Sequence, residues 1–439
     1  MPLIVLRTKT FEGLEQPTFV PSGTFDISKL GTYNVANYEF VKVLVKMNQI
    51  RQIASSERTT WILKKDGTLW GCGAGGSGQQ GSGSTAKVLT FTQRETNVKK
   101  VACSRDTTWI IKNDNTLWGC GSNSNGQQGS GNTTNVKVFT QRLTDVRDVF
   151  CAHTVTWAIK NDDTLWGCGY NYRGSQGAGN IDDVYSFTQR ATNVKTMACT
   201  YYTTWYVTND GVLYGCGGNE YGQQSKGDYG MERYVDKFTQ RMTDVKKVAC
   251  SEQTTWAIKN DGTLWGCGLN SSGQQSGNYP NVVTNLTQRA TDVKDVTCSD
   301  YTTWIIKNDN TFWGCGSNSN GQQGNGTSGS SSVVSNFTQR LTDVKEFICD
   351  GSTSWALKND GTFWGCGVNT YGQQGSGDTS NVTTFTQRGS GVIKIACSNR
   401  TSWFIETDGT LKGCGANDYG QQDSGDENNV LAFTERILP

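Results

Sequence analysis

The sequence has little histidine and proline, no excess of charge of either sign, and no long hydrophobic run. Its one histidine, His153, leaves almost no basis for histidine acid–base catalysis or histidine-ligated metals. Because 40 Lys+Arg balance 39 Asp+Glu, neither nucleic acid nor an anionic membrane is expected as a partner. The run Leu3–Leu6 is too short for a signal sequence or a membrane span, so we expect no signal peptide and no membrane anchor.

Sequence motifs of catalysis are also missing. There is no nucleophile elbow, no phosphate-binding glycine loop that opens a helix, and no metalloprotease helix. The Asp- and Asn-rich turns lack the inner Gly and the bidentate Glu of a calcium loop. We therefore expect a protein that is not an enzyme, with no catalytic residue, no metal ligand and no cofactor.

The sequence is instead rich in glycine and carries an internal repeat. Glycine supplies 53 of the 439 residues, well above the usual share of about 7%. The repeat reads Thr-Thr-Trp-Ile-Ile-Lys-Asn-Asp-x-Thr-Leu-Trp-Gly-Cys-Gly-x-Asn-x-x-Gly-Gln-Gln-Gly, followed by a variable stretch and Phe-Thr-Gln-Arg. Its eight copies have their first tryptophan at Trp61, Trp109, Trp157, Trp205, Trp256, Trp304, Trp355 and Trp403. Spacings of 48 or 51 residues indicate stacked, nearly identical supersecondary units.

Turn signals divide each copy into four short strands, called A to D below. In the second copy the predicted strands are Val98–Ser104, Thr108–Lys112, Thr116–Cys120 and Phe139–Arg142. Asn-Asp-Gly and Asn-Asp-Asn supply the positive-φ residues of a tight hairpin between strands B and C. Four strands in every copy are typical of propeller blades, with a β-solenoid as the alternative. We predict an all-β fold, a β-propeller of about eight four-stranded blades over residues 50–439, preceded by a short β-rich N-terminal arm at residues 1–49.

The repeat resembles that of a known family. The segment Gly121–Gly129, which follows an Asp-x-Thr-Leu-Trp hairpin, resembles the repeat of the regulator of chromosome condensation family. That resemblance covers residues 50–439 and implies a β-propeller. The family usually has seven blades, whereas this sequence has eight copies of the repeat, so the number of blades stays open. The sequence also has Cys where the family usually has Trp before Gly-x-Asn.

Residues 1–49 lie outside the repeat. Gly23–Ile27 and Gly31–Val35, followed by Tyr38–Val43, are similar to a short β-module of structural and tail proteins of phages of Gram-positive bacteria. The alternative is a flexible leader, with Val43–Lys46 as a ninth D-like strand that closes the ring against the last blade.

The repeated Cys, Trp, Gln and Arg residues are expected to serve the framework. The 15 cysteines fall on strands A and C, too far apart within one blade for disulfides, and should be reduced thiols packed between blades. The tryptophans of strands B and C should also fill the space between blades, and the Gln-Gln amides should bind backbone groups. The Arg of each strand D is expected to pair with acidic neighbours on the outer edge, with phosphate binding as an alternative.

The A–B turns and C–D loops vary between copies, whereas the B–C turns and D–A connections hardly vary. In an antiparallel blade the A–B and C–D loops leave the same face. Diverse loops on a constant scaffold are a common way to build a binding surface, although relaxed constraint on exposed loops would also produce them. The candidate binding residues on this face are Tyr172, Arg173, Tyr202, Tyr221, Tyr229, Arg233 and Tyr234.

Three functions are compatible with these features. The first is a non-enzymatic binding or assembly protein, a structural or receptor-binding part of a phage tail or tail-like particle. In that case residues 1–42 dock onto other structural proteins, the A–B/C–D face binds a protein or a cell-surface glycan, and the protein is particle-associated after synthesis in the bacterial cytoplasm. The second, implied only by the family resemblance, is a cytoplasmic guanine nucleotide exchange factor for a small GTPase. The third is a lectin-like cell-surface binding protein.

Overall fold

The structure, a computed structural model, describes residues 50–277, 280–299 and 301–438. These residues form eight four-stranded antiparallel sheets, each built from four consecutive strands in the order A–B–C–D. The prediction of an all-β propeller is confirmed, and the count is eight blades. Within the described residues no helix has the length and apolarity needed to cross a membrane.

Strands A and B form the inner half of each blade. The eight A strands are β1 (Ile50–Ser55), β5 (Val98–Cys103), β9 (Val146–Ala152), β13 (Val194–Cys199), β17 (Val245–Cys250), β21 (Val293–Cys298), β25 (Val344–Asp350) and β29 (Val392–Cys397). The B strands are β2 (Thr59–Lys64), β6 (Thr107–Lys112), β10 (Val155–Lys160), β14 (Thr203–Thr208), β18 (Thr254–Lys259), β22 (Thr302–Lys307), β26 (Thr353–Lys358) and β30 (Thr401–Glu406). Strands A of successive blades contact one another around the axis, so they surround a central channel.

Strands C and D form the outer half. The C strands are β3 (Leu69–Gly73), β7 (Leu117–Gly121), β11 (Leu165–Gly169), β15 (Leu213–Gly218), β19 (Leu264–Leu269), β23 (Phe312–Ser317), β27 (Phe363–Gly367) and β31 (Leu411–Gly415). The D strands are β4 (Val88–Glu95), β8 (Val136–Leu143), β12 (Val184–Ala191), β16 (Tyr234–Met242), β20 (Val282–Ala290), β24 (Val333–Leu341), β28 (Val382–Gly389) and β32 (Val430–Arg436). Strand D of the second blade begins at Val136 rather than at the predicted Phe139. Val136 pairs with Gly121 through backbone hydrogen bonds, which do not depend on the side chain and so leave no sequence pattern.

Strand B is buried on both faces because a neighbouring blade packs on each side. In β6 every residue is buried except Lys112, which is half-buried. Trp109 is 0% exposed and packs on Val146 and Val149 of the next blade. Its seven counterparts are equally buried, so the prediction for the strand-B tryptophans is confirmed.

The strand-C tryptophans also pack between blades, as Trp118 does against the core cluster of blades 1 and 2, but they are only half-buried. Trp118 donates its Nε1–H to Thr116 Oγ1 at 2.8 Å, and Lys112 Nζ lies 4.1 Å from its ring centroid. Five other blades repeat this Lys–Trp contact. These rings therefore pack partly on the preceding blade and partly under a lysine side chain.

The ring closes between blades 8 and 1 by the same contacts that join the other blades. Gln421 Nε2 donates to Glu57 O at 3.0 Å, as Gln223 Nε2 does to Glu252 O within the ring. Cys72 Sγ donates to Gln421 O at 3.5 Å, which repeats the bond from Cys120 Sγ to Gln79 O. The predictions for residues 1–49, including the ninth strand at Val43–Lys46, lie outside the described residues.

Candidate functional site

The A–B turns and C–D loops meet on one face of the disc. The backbone N–H of Ser122, just after strand C, donates to Asp106 O of the A–B turn at 2.8 Å. Tyr170 N makes the same bond to Thr154 O in blade 3 at 3.0 Å. The most variable segments of the eight copies therefore lie side by side, as the strand directions predicted.

The C–D loops of blades 2 to 8 are held by buried amides, whereas blade 1 has Gly75 in place of the asparagine. Asn123, 0% exposed, accepts from Gln128 N at 2.8 Å through Oδ1, and its Nδ2 donates to Asn132 O at 2.8 Å. Gln128 Nε2 donates to Cys120 O at 2.9 Å. The prediction that the glutamines bind the backbone is confirmed for the second glutamine of seven copies, and the central role of the asparagine is an addition to it. These bonds give the loops a fixed base from which the variable side chains project.

Aromatic side chains gather between blades 3 and 4. The Tyr170 and Tyr201 rings stack with centroids 4.6 Å apart, and Tyr202 meets Tyr201 edge to face at 4.3 Å. The predicted site residue Tyr172 lies 6.2 Å from Tyr170, and its side chain is 58% exposed. His153, which has a φ of 45°, approaches Tyr201 at 6.0 Å. His153 and Tyr201 also border a cavity at the mouth of the channel.

Arg173 links the aromatic cluster to blade 4. Its guanidinium carbon lies 4.6 Å from the centroid of Tyr202, and the guanidinium forms an ion pair with Glu220. Burial and the adjacent Tyr201 raise the pKa of Tyr202, and Arg173 lowers it. Burial likewise raises the pKa of Tyr170 well above its usual value, so these phenols remain neutral hydrogen-bonding groups at neutral pH.

The lengthened C–D loop of blade 4 begins beside Glu220, the ion-pair partner of Arg173, and carries further exposed side chains. Tyr229, Met231 and Tyr234 are 57%, 87% and 41% exposed, and the Arg233 side chain is 60% exposed. The loop is anchored by a hydrogen bond of 2.9 Å from Asn219 N to Arg233 O. Asn219 directly precedes Glu220, which forms the ion pair with Arg173. We call Tyr172, Arg173, Tyr202, Tyr229, Met231, Arg233 and Tyr234 the blade 3/4 surface.

Six of the seven predicted binding residues belong to this surface. Tyr221 is half-buried, and within the described part of the chain its ring contacts none of the other rings. Tyr170 and Met231 were not among the predicted binding residues. Tyr170 could have been found because the other copies have a small or aliphatic residue after Gly-Cys-Gly, and Met231 because it lies in a length insertion.

Two cavities lie along the axis of the ring. One of about 580 Å³ is bordered by strand A residues of six blades, and one of about 560 Å³ lies at the channel mouth beside Tyr201 and Tyr301. Seven strand-A cysteines are half-buried near these cavities, whereas the strand-C cysteines are fully buried. Within residues 50–277, 280–299 and 301–438, no group of three or more His, Cys, Asp or Glu is placed to hold a metal ion.

The thiols occupy the contacts between blades. Cys349 Sγ lies 3.4 Å from Thr302 Oγ1 of the preceding blade. Burial raises the pKa of Cys349 to about 11 and that of Cys103 to about 12. Thiols with such values are protonated at neutral pH and therefore poor nucleophiles.

Among the described residues, seven of the eight strand D arginines do not make the predicted ion pairs. These seven have a buried Nε with no hydrogen-bond partner and no carboxylate at salt-bridge distance among the described residues: Arg94, Arg142, Arg190, Arg241, Arg340, Arg388 and Arg436. Burial lowers the pKa of Arg142, whose guanidinium faces Cys168 of the next blade. The side chains lie in the contacts between blades instead of reaching across the outer edge.

Comparisons with known proteins agree with this architecture. The model of the regulator of chromosome condensation (RCC1) repeat matches residues 98–127, 245–274, 293–322 and 392–421. No curated protein sequence matches the chain. Human WBSCR16 is similar in structure with a TM-score of 0.60 and 18% identity, over 79% of this chain and 97% of that chain.

Yeast RCC1 (Prp20), crystallised with Kap60, has a TM-score of 0.57 and 14% identity, over 75% of this chain and 83% of that chain. A second structure of Prp20p from Saccharomyces cerevisiae, described together with its binding properties to Gsp1p and histones, has a TM-score of 0.58 and 14% identity, over 75% and 85% of the two chains. At sequence identities of 14–18%, these structural matches show that the chains share a fold. The chain thus carries regulator of chromosome condensation repeats, folded into a β-propeller of eight blades.

Proposed function

We propose that the protein is a non-enzymatic binding protein that engages a protein partner through the blade 3/4 surface. The observation that carries the proposal is the concentration of exposed Tyr, Met and Arg side chains at one contact between blades. Tyr and Arg are over-represented among residues that dominate binding energy, and Met adapts to irregular partner surfaces. The hydrogen-bonded bases of the loops reduce the ordering that binding would otherwise require.

The test is a variant in which four residues are replaced by Ala together: Tyr172, Arg173, Tyr229 and Arg233. Partners are recovered from the producing cells with the wild-type protein and are then purified. In a titration they should bind the variant at least tenfold more weakly than they bind the wild type. Removal of Tyr172, Tyr229 and Arg233, which lie outside the core, should change the melting temperature by no more than about 2 °C, whereas removal of Arg173 lowers it because Glu220 loses its ion-pair partner.

A matched control exists on the same face. Arg400 lies 4.0 Å from the ring centroid of Tyr371, an arginine–tyrosine pair like that of Arg173 and Tyr202. Replacing Tyr371 and Arg400 by Ala should leave binding unchanged. Equal loss in both variants, or unchanged binding in the fourfold variant, would show that the blade 3/4 surface is not the binding site.

In the particle-associated form of this proposal, residues 1–42 attach the propeller to other structural proteins of a phage tail or tail-like particle. The support is the sequence pattern of Gly23–Val43. Deleting residues 1–42 should leave the melting temperature of the propeller unchanged and abolish its incorporation into the particle. Retained incorporation would contradict attachment through the arm.

A second candidate is nucleotide exchange on a small GTPase, favoured by the structural likeness to Prp20p, which is described as binding Gsp1p. The two candidate functions are distinguished by measuring the rate at which Ras-like GTPases of the producing organism release a fluorescent GDP analogue in the presence of the protein. Simple binding predicts an unchanged release rate, and a tenfold acceleration would establish exchange. If a glycan array instead gives signals that depend on Tyr172 and Tyr229, the partner is a glycan and the protein is a lectin.

A further inference from the structure

The C–D loop of blade 1 lacks two side-chain oxygens that the loop of blade 2 uses as hydrogen-bond acceptors. In blade 2, Asn123 Oδ1 accepts from Gln128 N at 2.8 Å, and Asn135 Oδ1 accepts from the backbone N–H of Asn123 at 2.9 Å. Gly75 and Lys87 occupy these two asparagine positions in blade 1. One acceptor is therefore lost and the other is replaced by a cation.

The N–H groups that these oxygens would bind are buried in blade 1. Neither Gly75 N nor Gln80 N donates a hydrogen bond within residues 50–277, 280–299 and 301–438. In the other seven loops the N–H equivalent to that of Gly75 donates to a side-chain or backbone oxygen.

The side chain of Gln80 is also left without partners. It is 0% exposed, and its Nε2 has no hydrogen bond, whereas the equivalent Nε2 of the other seven copies donates to a strand C carbonyl. Buried donors are nearly always paired with protein, water or a bound group. Three unpaired donors in one loop therefore indicate a place for a bound hydrogen-bond acceptor.

A cavity of about 210 Å³ borders this loop, and its lining includes Gly75, Gly76, Lys87 and the ring of Tyr419. Nothing lies within 4 Å of a Cβ added at Gly76, so the backbone is open to a ligand there. At Gly75 an added Cβ would lie 2.0 Å from Ala86 O, so this loop cannot hold the missing asparagine. We call Gly75, Gly76, Gln80 and Lys87 the blade 1 loop site.

The charged groups beside the site leave a cation available for a ligand. Lys87 Nζ donates to Glu427 Oε2 at 2.6 Å and to Asp418 O at 2.9 Å, which leaves one of its three N–H groups. The Lys87 and Glu427 side chains are 41% and 50% exposed, so their ion pair is weak and exchangeable. Asp106, the carboxylate in the cavity lining, is paired with Arg58 at 2.9 Å.

We propose that the blade 1 loop site binds the carboxylate of a small organic acid. Its two oxygens accept from Gly75 N and Gln80 N, in place of the two asparagine oxygens of blade 2, and Lys87 balances its charge. A carboxamide offers only one oxygen, and its NH₂ group would face a donor. The site is separate from the blade 3/4 surface and does not depend on the function proposed for that surface.

The probe is butyrate, with butyramide as its neutral isostere. The full chain is labelled with ¹³C-carbonyl alanine and ¹⁵N-glycine, and its two Ala–Gly pairs, Ala74–Gly75 and Ala178–Gly179, give the only signals of an HNCO spectrum. We expect butyrate to move the Gly75 amide proton downfield in a saturable way. The Gly179 signal should not move, because its N–H already donates to Asp236 O at 2.8 Å. Butyramide should bind at least tenfold more weakly.

Two variants should weaken butyrate binding. Lys87→Asn supplies the acceptor that Asn135 provides in blade 2 and removes the charge, so the affinity should fall at least tenfold. Gly76→Asp introduces the residue of blade 8, Asp418, and should lower the affinity at least threefold by charge repulsion. The matched control is Lys226→Asn, because Lys226 lies in the C–D loop of blade 4, pairs with an aspartate and is also 41% exposed. It should leave binding unchanged.

Melting temperatures of all variants identify any that fail to fold, and Gly76→Asp keeps the test valid if Lys87→Asn does so. The proposal is overturned if the Gly75 amide shows no saturable shift with millimolar butyrate, or if butyramide binds equally well. It is also overturned by unchanged affinity in folded Lys87→Asn and Gly76→Asp variants, or by an equal loss in Lys226→Asn.

Discussion

At the scale of single residues, the repeat is constrained most tightly where a glycine of strand C meets the buried tryptophan of strand B. An added Cβ at Gly119 would lie 2.5 Å from Cζ3 of Trp109 and 2.5 Å from Oε1 of Gln128. Neither neighbour can move, because the indole is fully buried and Gln128 is bound to Cys120 O. The Gly-Cys-Gly of every copy therefore reflects packing and carries no information about a ligand.

Replacing Gly119 by Ala should lower the free energy of unfolding by about 1–3 kcal/mol, the usual cost of overpacking a core. Equilibrium unfolding in urea measures this change. The control is Gly76→Ala, where nothing lies within 4 Å of the added Cβ. A Gly119→Ala variant as stable as the control would show that this contact relaxes more easily than the geometry indicates.

At the scale of the element, the B–C hairpin is held by a chain of three side chains. Asp114 Oδ1 accepts from Thr116 N at 3.0 Å and from Thr116 Oγ1 at 2.6 Å, and Thr116 Oγ1 accepts from Trp118 Nε1 at 2.8 Å. These bonds to Thr116 lower the pKa of Asp114. The same arrangement recurs in blades 1, 3, 5, 6 and 7. The sequence predicted the turn, whereas the bond to tryptophan required the relative position of the two strands.

The hairpin should therefore contribute a pH-dependent share of stability. Because the pKa of Asp114 is lower in the folded state, its contribution is present above the unfolded value of about 3.9 and is lost as pH falls through the folded value. Thr116→Val should lower the melting temperature at pH 7, and the difference from wild type should shrink below pH 4. Thr92→Val, which removes only a bond to Thr90 O, should show the same difference at both pH values.

At the scale of the whole molecule, the contact between blades 8 and 1 differs from the others by a carboxylate. Asp423 occupies the position held by Gly or Ser in the other copies, and its Oδ1 accepts from Phe91 N at 2.5 Å. Burial raises the pKa of Asp423 to about 6, although the bond from Phe91 and the nearby Arg436 lower it. Ser225 and Ser276 accept the equivalent backbone bonds from Leu286 and Phe337 without a charge.

Asp423→Ser should therefore stabilise the ring at high pH. A carboxyl group whose pKa is raised by folding destabilises the folded state increasingly between about pH 4 and pH 6, and fully above that range. The variant should be more stable than wild type by about 1 kcal/mol at pH 8, after allowance for partial exposure, and nearly equal to it at pH 4. Urea unfolding at the two pH values measures this. A difference of the same size at both would exclude ionisation of Asp423 as the cause.

The sequence by itself determined the all-β class, the eight units, the strand order and the burial of the strand B tryptophans. These features follow from local turn chemistry and from a period that repeats within one chain. Only the tertiary structure decided that Tyr172 and Arg173 lie beside Tyr202 and that the blade 4 insertion joins them. It also decided that the strand D arginines lie in the contacts between blades. Such features depend on how one blade is offset against the next, and that offset is set by packing between side chains from different copies, which no single copy specifies.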